Sequence, residues 1–501
     1  MEELGLLFHG FAVVISPFNM LLMVVGVVLG VLIGVLPGLG GANGIAILLP
    51  LTFSMPPTSA IIMLSCIYWG ALFGGAMTSI LFNIPGEPWS VATTFDGFPM
   101  AQKGNPGGAL TTAFTSSFVG AIIAVILITF LSPIIAEFAL RFGPPEFFSV
   151  YLLTFAAFVG MAKGAALKTI VSMMIGFTLA AVGMDTVTGQ LRLTFDTTVL
   201  LKGFDFLIAV IGLFGIGEIL LTMEEGLEFK GAKAKIDLKV VLHTWKQLPK
   251  YWATSLRGAA VGCFMGIVPG GATPASFMSY GVAKRFAKNP DGFGQGEMEG
   301  IVAPETAAHA AGTSALLPML TLGVPGSPTA AVLLGGLLIW GLQPGPLLFQ
   351  EQAEFVWGLI ASMYLGNVVG LAIVLTCVPF FAGILRIPFS IIAPVIMVIC
   401  AIGAYTVANS IFDIYMMMTF GVAGYLLRKL NYPLAPLVLA VVLGARAEDS
   451  FRQAMLFSSG DVSIFFSNYL VGGITGLSII LLILPVLQGV LEKMRNKPAT
   501  A

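Results

Sequence analysis

Charge is nearly missing from long stretches of this chain, and that limits its fold more than any other feature. No lysine or arginine occurs before Lys103. Apolar runs recur around 21–36, 58–82, 109–136, 146–182, 205–222, 253–268, 311–342, 355–380, 389–427, 434–444 and 464–490. A run of roughly 20 apolar residues is the helical length that crosses about 30 Å of hydrocarbon. Charged residues make up 10% of the chain and hydrophobic ones 57%, whereas soluble domains carry about 25% charge. Such a chain lacks the polar surface to face water on all sides, so its surroundings are a lipid bilayer. Strand alternation is absent, which argues against an outer-membrane barrel. The expectation is an all-α polytopic membrane protein with about 10–13 transmembrane helices, several interrupted by Gly and Pro.

The first 30 residues carry no basic leader and read as mature membrane protein rather than a secretory signal. Cys66, Cys263, Cys377 and Cys400 lie in apolar surroundings without metal-ligand spacing, and read as small buried hydrophobes. No basic patch is large enough for nucleic acid, and no cofactor motif occurs. The one substantial charged stretch, Glu224 to Arg257, carries seven Lys or Arg against four acids and reads as a cytoplasmic linker. It divides the chain into a first membrane repeat (1–222), a linker (223–257), a second membrane repeat (258–490) and a basic tail (491–501).

The halves resemble each other. Pro37-Gly38 in GVLPGLGGANG corresponds to Pro269-Gly270 in GIVPGGATPASF, 232 residues later, and NIPGEP from Asn83 corresponds to GVPGSP from Gly323, 240 residues later. SFVGAIIAVIL from Ser117 matches GNVVGLAIVL from Gly366, and IGFTLAAVGMD from Ile175 weakly matches LVLAVVLGARAED from Leu437. Four matches in one order indicate an internal repeat. Secondary transporters are commonly built this way, with the site where the repeats meet.

Proline stops a helix and glycine permits positive φ. Four pairs, Pro37-Gly38, Pro85-Gly86, Pro269-Gly270 and Pro325-Gly326, therefore read as helices or hairpins broken at membrane depth. Broken ends offer amides to an anion and carbonyls to a cation such as sodium. The substrate-binding candidates are these eight residues with Gly40, Asn43, Asn83, Thr273, Ser276, Ser327 and Thr329. Simple kinking for close helix packing is the competing reading.

Asp96, Glu305 and His309 are the candidate ion-coupling residues, because ionisable groups in apolar segments need a cavity or a partner. Glu305 and His309 share a helix face at i,i+4. A helix-end or packing role for Glu305 is the alternative. Glu87, directly after a break, is read as a vestibule wall. Lys103, Lys284, Arg285 and Lys288 read as interfacial loop charges. A membrane-embedded enzyme would need clustered carboxylates, a nucleophile with a base, or several histidines. The chain has only His9, His243 and His309, and no HExxH. A carboxylate channel remains a rival.

The long motifs carry a resemblance. GVLPGLGGANGIAILLPLTF from Gly34 and YWGALFGGAMTSILFNIPGEPWSVATTFDGFPMAQKG from Tyr68 are its first-half part. GIVPGGATPASFMSYG from Gly266 and FGQGEMEGIVAPETAAHAAGTSALLPMLTLGVPGSPTAAVLLGGLLIWGLQPGP from Phe293 are its second. Over roughly residues 15 to 455 the chain resembles TctA, the large membrane subunit of the tripartite tricarboxylate transporter family. The resemblance implies a bacterial inner-membrane secondary transporter of about twelve spans, built as inverted repeats with elevator-like movement. It also implies a small membrane subunit and a periplasmic solute-binding protein as partners. The substrate would be citrate or another organic carboxylate, and the coupling ion sodium or a proton. A homodimer follows by analogy with other elevator-like scaffolds. Two departures stand out. Ala308 and His309 occupy a stretch where the family often has asparagines, and PGGAT is one residue tighter than PGLGGAN.

Overall fold

The computed structural model describes residues 2–36, 39–160, 166–185, 188–225, 236–268, 271–384 and 389–495. Pro37, Gly38, Pro269 and Gly270 lie outside the described residues, as do 226–235 of the charged linker and the end of the basic tail.

The chain begins with α1 (Glu2–Val14), α2 (Pro17–Val35), α3 (Gly40–Leu48), α4 (Pro57–Phe82), α5 (Val91–Gln102), α6 (Pro106–Ala139), α7 (Pro144–Gly160) and α8 (Ala166–Ala180). Prolines open α2, α4 and α6, where a helix needs no amide donor. An antiparallel pair follows, β1 (Gly183–Met184) and β2 (Leu191–Arg192), with Gly183 opposite Arg192. It is pinned by Asp185, which Arg192 and Arg452 both bind, at 2.6 and 3.0 Å. Hydrogen bonds donated to Glu448 and, next in weight, to Asp185 push the Arg192 guanidinium further up from its already high range. Next, α9 (Phe206–Val210) runs through a π-helical stretch (Ile211–Ile216) into α10 (Gly217–Glu225).

The remainder comprises α11 (Leu238–Gln247), α12 (Trp252–Ile267), α13 (Ala272–Phe286), α14 (Glu299–Ser314), α15 (Leu316–Leu322), α16 (Pro328–Ile339), α17 (Leu348–Glu351), α18 (Ala353–Thr376), α19 (Val378–Ile384), α20 (Phe389–Ala408), α21 (Ile411–Lys429), α22 (Leu434–Phe457) and α23 (Tyr469–Arg495). The described part of the expected linker is thus not a loop: it holds α11 and the start of α12.

Among the described residues, six helical segments are long and apolar enough to cross a membrane: α2, α4, α6, Phe206–Glu224, α18 and α21. Shorter apolar helices of 10–17 residues include α7, α8 and α16. The apolar runs are therefore divided between full spans and broken pieces. α4 is buried throughout its spanning stretch and forms the middle of the core.

The two segments repeat down to single contacts. α2 packs along α4, and α12 along α14. A Cβ on Gly34 would stand 2.2 Å from the Ala71 carbonyl oxygen, and one on Gly266 would stand 2.3 Å from that of Ala311. Only glycine allows backbones so close. A Cβ on Gly86 would meet the Gly34 oxygen at 2.3 Å, and one on Gly326 would meet the Gly266 oxygen at 2.3 Å. α4 ends on left-handed Asn83 (φ 58°) and α15 on left-handed Gly323 (φ 70°), the usual way to terminate a helix. The repeated segments are also interleaved. α6 packs along α14 and α18 along α4, while α1 lies on α18 and α11 on α6.

Candidate functional site

The broken segments converge on a cavity of about 340 Å3. Its wall takes Gly40 and Asn43 from α3, Glu87, Pro88 and Trp89 from the turn after α4, and Gly271 and Thr273 from the start of α13. Gly326, Ser327 and Thr329 come from the start of α16. Of the candidates named from sequence, Gly40, Asn43, Thr273, Gly326, Ser327 and Thr329 meet here. Asn83, Pro85, Gly86, Ser276 and Pro325 do not line the cavity. Asn83 is the exposed cap of α4, and Gly86 is spent on the tight crossing with Gly34. Ser276 donates to the Trp89 carbonyl oxygen at 2.7 Å, tying α13 to the turn after α4.

The two sides of the cavity differ in one instructive respect. Glu87 is buried, and its Oε1 accepts from the Gly41 amide at 2.5 Å. A carboxylate thus sits on the N-terminus of α3, where free amides and the helix dipole favour negative charge. The residue 240 positions later is Ser327. It is too short for such a reach and instead caps its own helix, accepting from the Ala330 amide at 3.1 Å. α13, the counterpart of α3, starts at Gly271 (φ 71°) without a side-chain cap, and its first residues face the cavity. Tyr68 of α4 lies 3.4 Å from the Ser327 hydroxyl and joins the two sides.

Three wall residues come from elsewhere: Phe158 of α7, Phe214 of the π-helical stretch and Arg428 of α21. Arg428 pairs with buried Glu218 of α10 and stands 5.9 Å from the Phe214 ring centroid. Sequence reading missed all three. Arg428 sits beside Lys429 at the end of an apolar run, where a pair of cations reads as a topological anchor. Its place in the wall depends on long-range packing.

The coupling candidates lie apart from this wall. Asp96, on α5, is fully buried and already served by four donors. Its Oδ1 accepts from the amides of Gly294, Gly296 and Glu297 at 2.8–2.9 Å, and Oδ2 accepts from the Tyr280 hydroxyl at 2.8 Å. It latches the loop before α14. Glu305 and His309 share the buried face of α14. Thr93 of α5 donates to Glu305 Oε1 at 2.5 Å and Ser117 of α6 donates to Oε2 at 2.7 Å.

Comparison with known proteins gives the family. The family model described as "Tripartite tricarboxylate transporter TctA family" matches residues 20–439. An uncharacterized 52.8 kDa protein in the TAR-I ttuC' 3' region of Agrobacterium vitis is 36% identical over 497 residues, covering 98% of each chain. A second Agrobacterium vitis protein, uncharacterized and in the TAR-II ttuC' 3' region, is 37% identical over 233 residues. That match covers 46% of this chain and 96% of that protein. No solved structure matches. A membrane-embedded core, a central cavity between broken helices and a family match over most of its length lead to one conclusion: the chain belongs to the tripartite tricarboxylate transporter TctA family, as a multi-pass transporter of the bacterial inner membrane and not an enzyme.

Proposed function

We propose that this chain takes up a small organic carboxylate by secondary active transport, as the large membrane subunit of a binding-protein-dependent transporter. The observation that carries the reading is the uncapped N-terminus of α13 in a cavity whose matching side is filled by Glu87. One substrate carboxylate takes the place on α13 that Glu87 takes on α3, with Arg428 close by in the same wall. The volume of about 340 Å3 lies at the small end of ligand pockets, which span roughly 300–1,000 Å3. Citrate or a dicarboxylate is of that scale.

Charge balance supports coupling to a cation. Among the described residues the wall holds one guanidinium, already paired with Glu218, and one carboxylate. A di- or tricarboxylate brings more negative charge than the wall neutralises, and uncompensated charge is costly at low dielectric. Sodium or protons moving with the substrate meet that need. The small membrane subunit and periplasmic binding protein are the partners that the family implies, and a homodimer is the simplest assembly for an elevator-like scaffold. Residues 1–222 and 258–490 act as inverted repeats in this scheme, with the broken segments moving as one portion.

Uptake into proteoliposomes containing this chain with its small subunit and binding protein tests the reading. Labelled tri-, di- and monocarboxylates are offered under imposed sodium or proton gradients. Accumulation of one acid that needs both a gradient and the binding protein is expected. Flux indifferent to any gradient would make the protein a channel and overturn the proposal.

A further inference from the structure

Beyond the cavity, α14 carries a row of buried polar groups that packing alone does not explain. Glu305, His309 and Thr313 follow at i, i+4 and i+8 on one helix face and are buried. His309 is fully enclosed, and among the described residues no side chain hydrogen-bonds either ring nitrogen. A neutral imidazole has one donor and one acceptor nitrogen, so whichever tautomer is present, at least one of the two capacities is not met by a side chain. The Thr313 hydroxyl has no partner among the described residues either. Phe73 of α4 covers the imidazole, with ring centroids 4.9 Å apart. His309 Nδ1 stands 3.8 Å from Glu305 Oε2, beyond hydrogen-bonding range. A relative shift of about 1 Å would close that gap.

The surroundings of Glu305 suit a proton rather than a fixed charge. Its two partners are hydroxyls, from Thr93 and Ser117. A hydroxyl donates to a carboxylate and equally accepts from a carboxyl O–H, so the contacts survive in both protonation states. No cation other than His309 lies within pairing distance of it among the described residues. The titratable groups facing α14 from its neighbours are otherwise occupied. Asp96 of α5 binds Tyr280 of α13 and three amides, and Glu87 binds Gly41. On α12, Arg257 is bonded to Thr254 and lies over Phe286, and Cys263 is a buried thiol among alanines. Tyr68 of α4 turns its hydroxyl toward Ser327 in the cavity wall.

We propose that Glu305 and His309 form the proton-carrying pair of this transporter, passing a proton between Glu305 Oε2 and His309 Nδ1 as their side chains close the 3.8 Å gap between them. Glu305 takes up the proton from the outer side as a carboxyl O–H; the transfer breaks that O–H bond, forms an N–H bond on His309 and leaves a carboxylate–imidazolium pair, and release of the Nδ1 proton to the inner side restores the carboxylate and the neutral imidazole. This rests on the carboxylate-transport reading and narrows its coupling ion to the proton. Position supports the link. α5 and α6 hold Glu305 from the first half, and α14 leads into α15 and the Gly326–Thr329 wall.

The test uses the complete complex in proteoliposomes, with Glu305→Gln and His309→Asn as variants. Accumulation of labelled acid under a pH gradient is compared with exchange of labelled for unlabelled acid, which needs no gradient. Both variants are expected to lose accumulation about tenfold or more, while exchange falls far less. If Glu305→Gln abolishes exchange as well, His309→Asn decides by the same two measurements. Accumulation that follows the pH gradient normally in both variants overturns the proposal. So does a wild-type complex that accumulates acid on sodium alone. Absence of acid exchange in the wild-type complex overturns the transport reading itself.

Discussion

Replacing Glu87 tests whether a carboxylate is what holds the N-terminus of α3. In the native protein Glu87 Oε1 accepts from the Gly41 amide at 2.5 Å in a buried setting. A hydrogen bond to a charged group contributes about 1.5–3 kcal/mol, and negative charge at a helix start contributes about 0.3–2 kcal/mol. The two overlap, so Glu87→Ala should cost about 2–3 kcal/mol. Glu87→Gln keeps an acceptor at the same reach and loses only the charge, which should cost about 1 kcal/mol. Thermal unfolding in detergent, followed by tryptophan fluorescence, reads the order: wild type above Gln above Ala. Acetate is expected to raise the melting temperature of the Ala variant more than that of wild type, because a free carboxylate fills the vacated place. An Ala variant that melts with wild type would refute the reasoning. So would a Gln variant as unstable as Ala.

Three further outcomes follow from the same geometry. Arg428→Gln should raise the KM for the transported acid by about 10- to 100-fold, the loss of one charge-assisted contact, measured as uptake against substrate concentration. Gly86→Ala and Gly326→Ala place a methyl 2.3 Å from the carbonyl oxygens of Gly34 and Gly266. Each should destabilise by about 1–3 kcal/mol, and thermal unfolding should show losses of similar size, since the two crossings are alike. Asp96→Ala strands the amides of Gly294, Gly296 and Glu297. Hydrogen exchange at those three amides should quicken by at least about tenfold, whereas Asp96→Asn, which keeps an acceptor, should protect most of the difference.

What was legible in the sequence is what is written locally. Apolar runs gave a membrane protein, and Pro-Gly punctuation marked the places where helices stop. The matching Pro-Gly motifs were readable because Gly34, Gly86, Gly266 and Gly326 are needed for backbone contact at both crossings. Arg428, Phe158 and Phe214 were not readable as wall residues, because they come from helices that reach the cavity only through tertiary packing. The same holds for Glu87. Its position beside a break was visible, but its partner is the amide of Gly41, 46 residues earlier. Asp96 shows the same limit: a buried acid is conspicuous in sequence, while the four donors around it come from distant segments. Counting spans was hard because α14 and α15 are separate short helices, and the segment from α9 to α10 passes through a π-helical stretch.

The interleaving of the two halves sets a timetable for biogenesis. Ser117 waits 188 residues and Thr93 waits 212 for Glu305 to be made. At about 5–20 residues per second, that is roughly 10–40 s. Throughout that interval α6 is in the membrane without α14, the helix it is shaped to grip, and α1 lacks α18. The nascent first half must be sheltered by lipid or by the insertion machinery, and it completes its core only after the second half has entered the membrane.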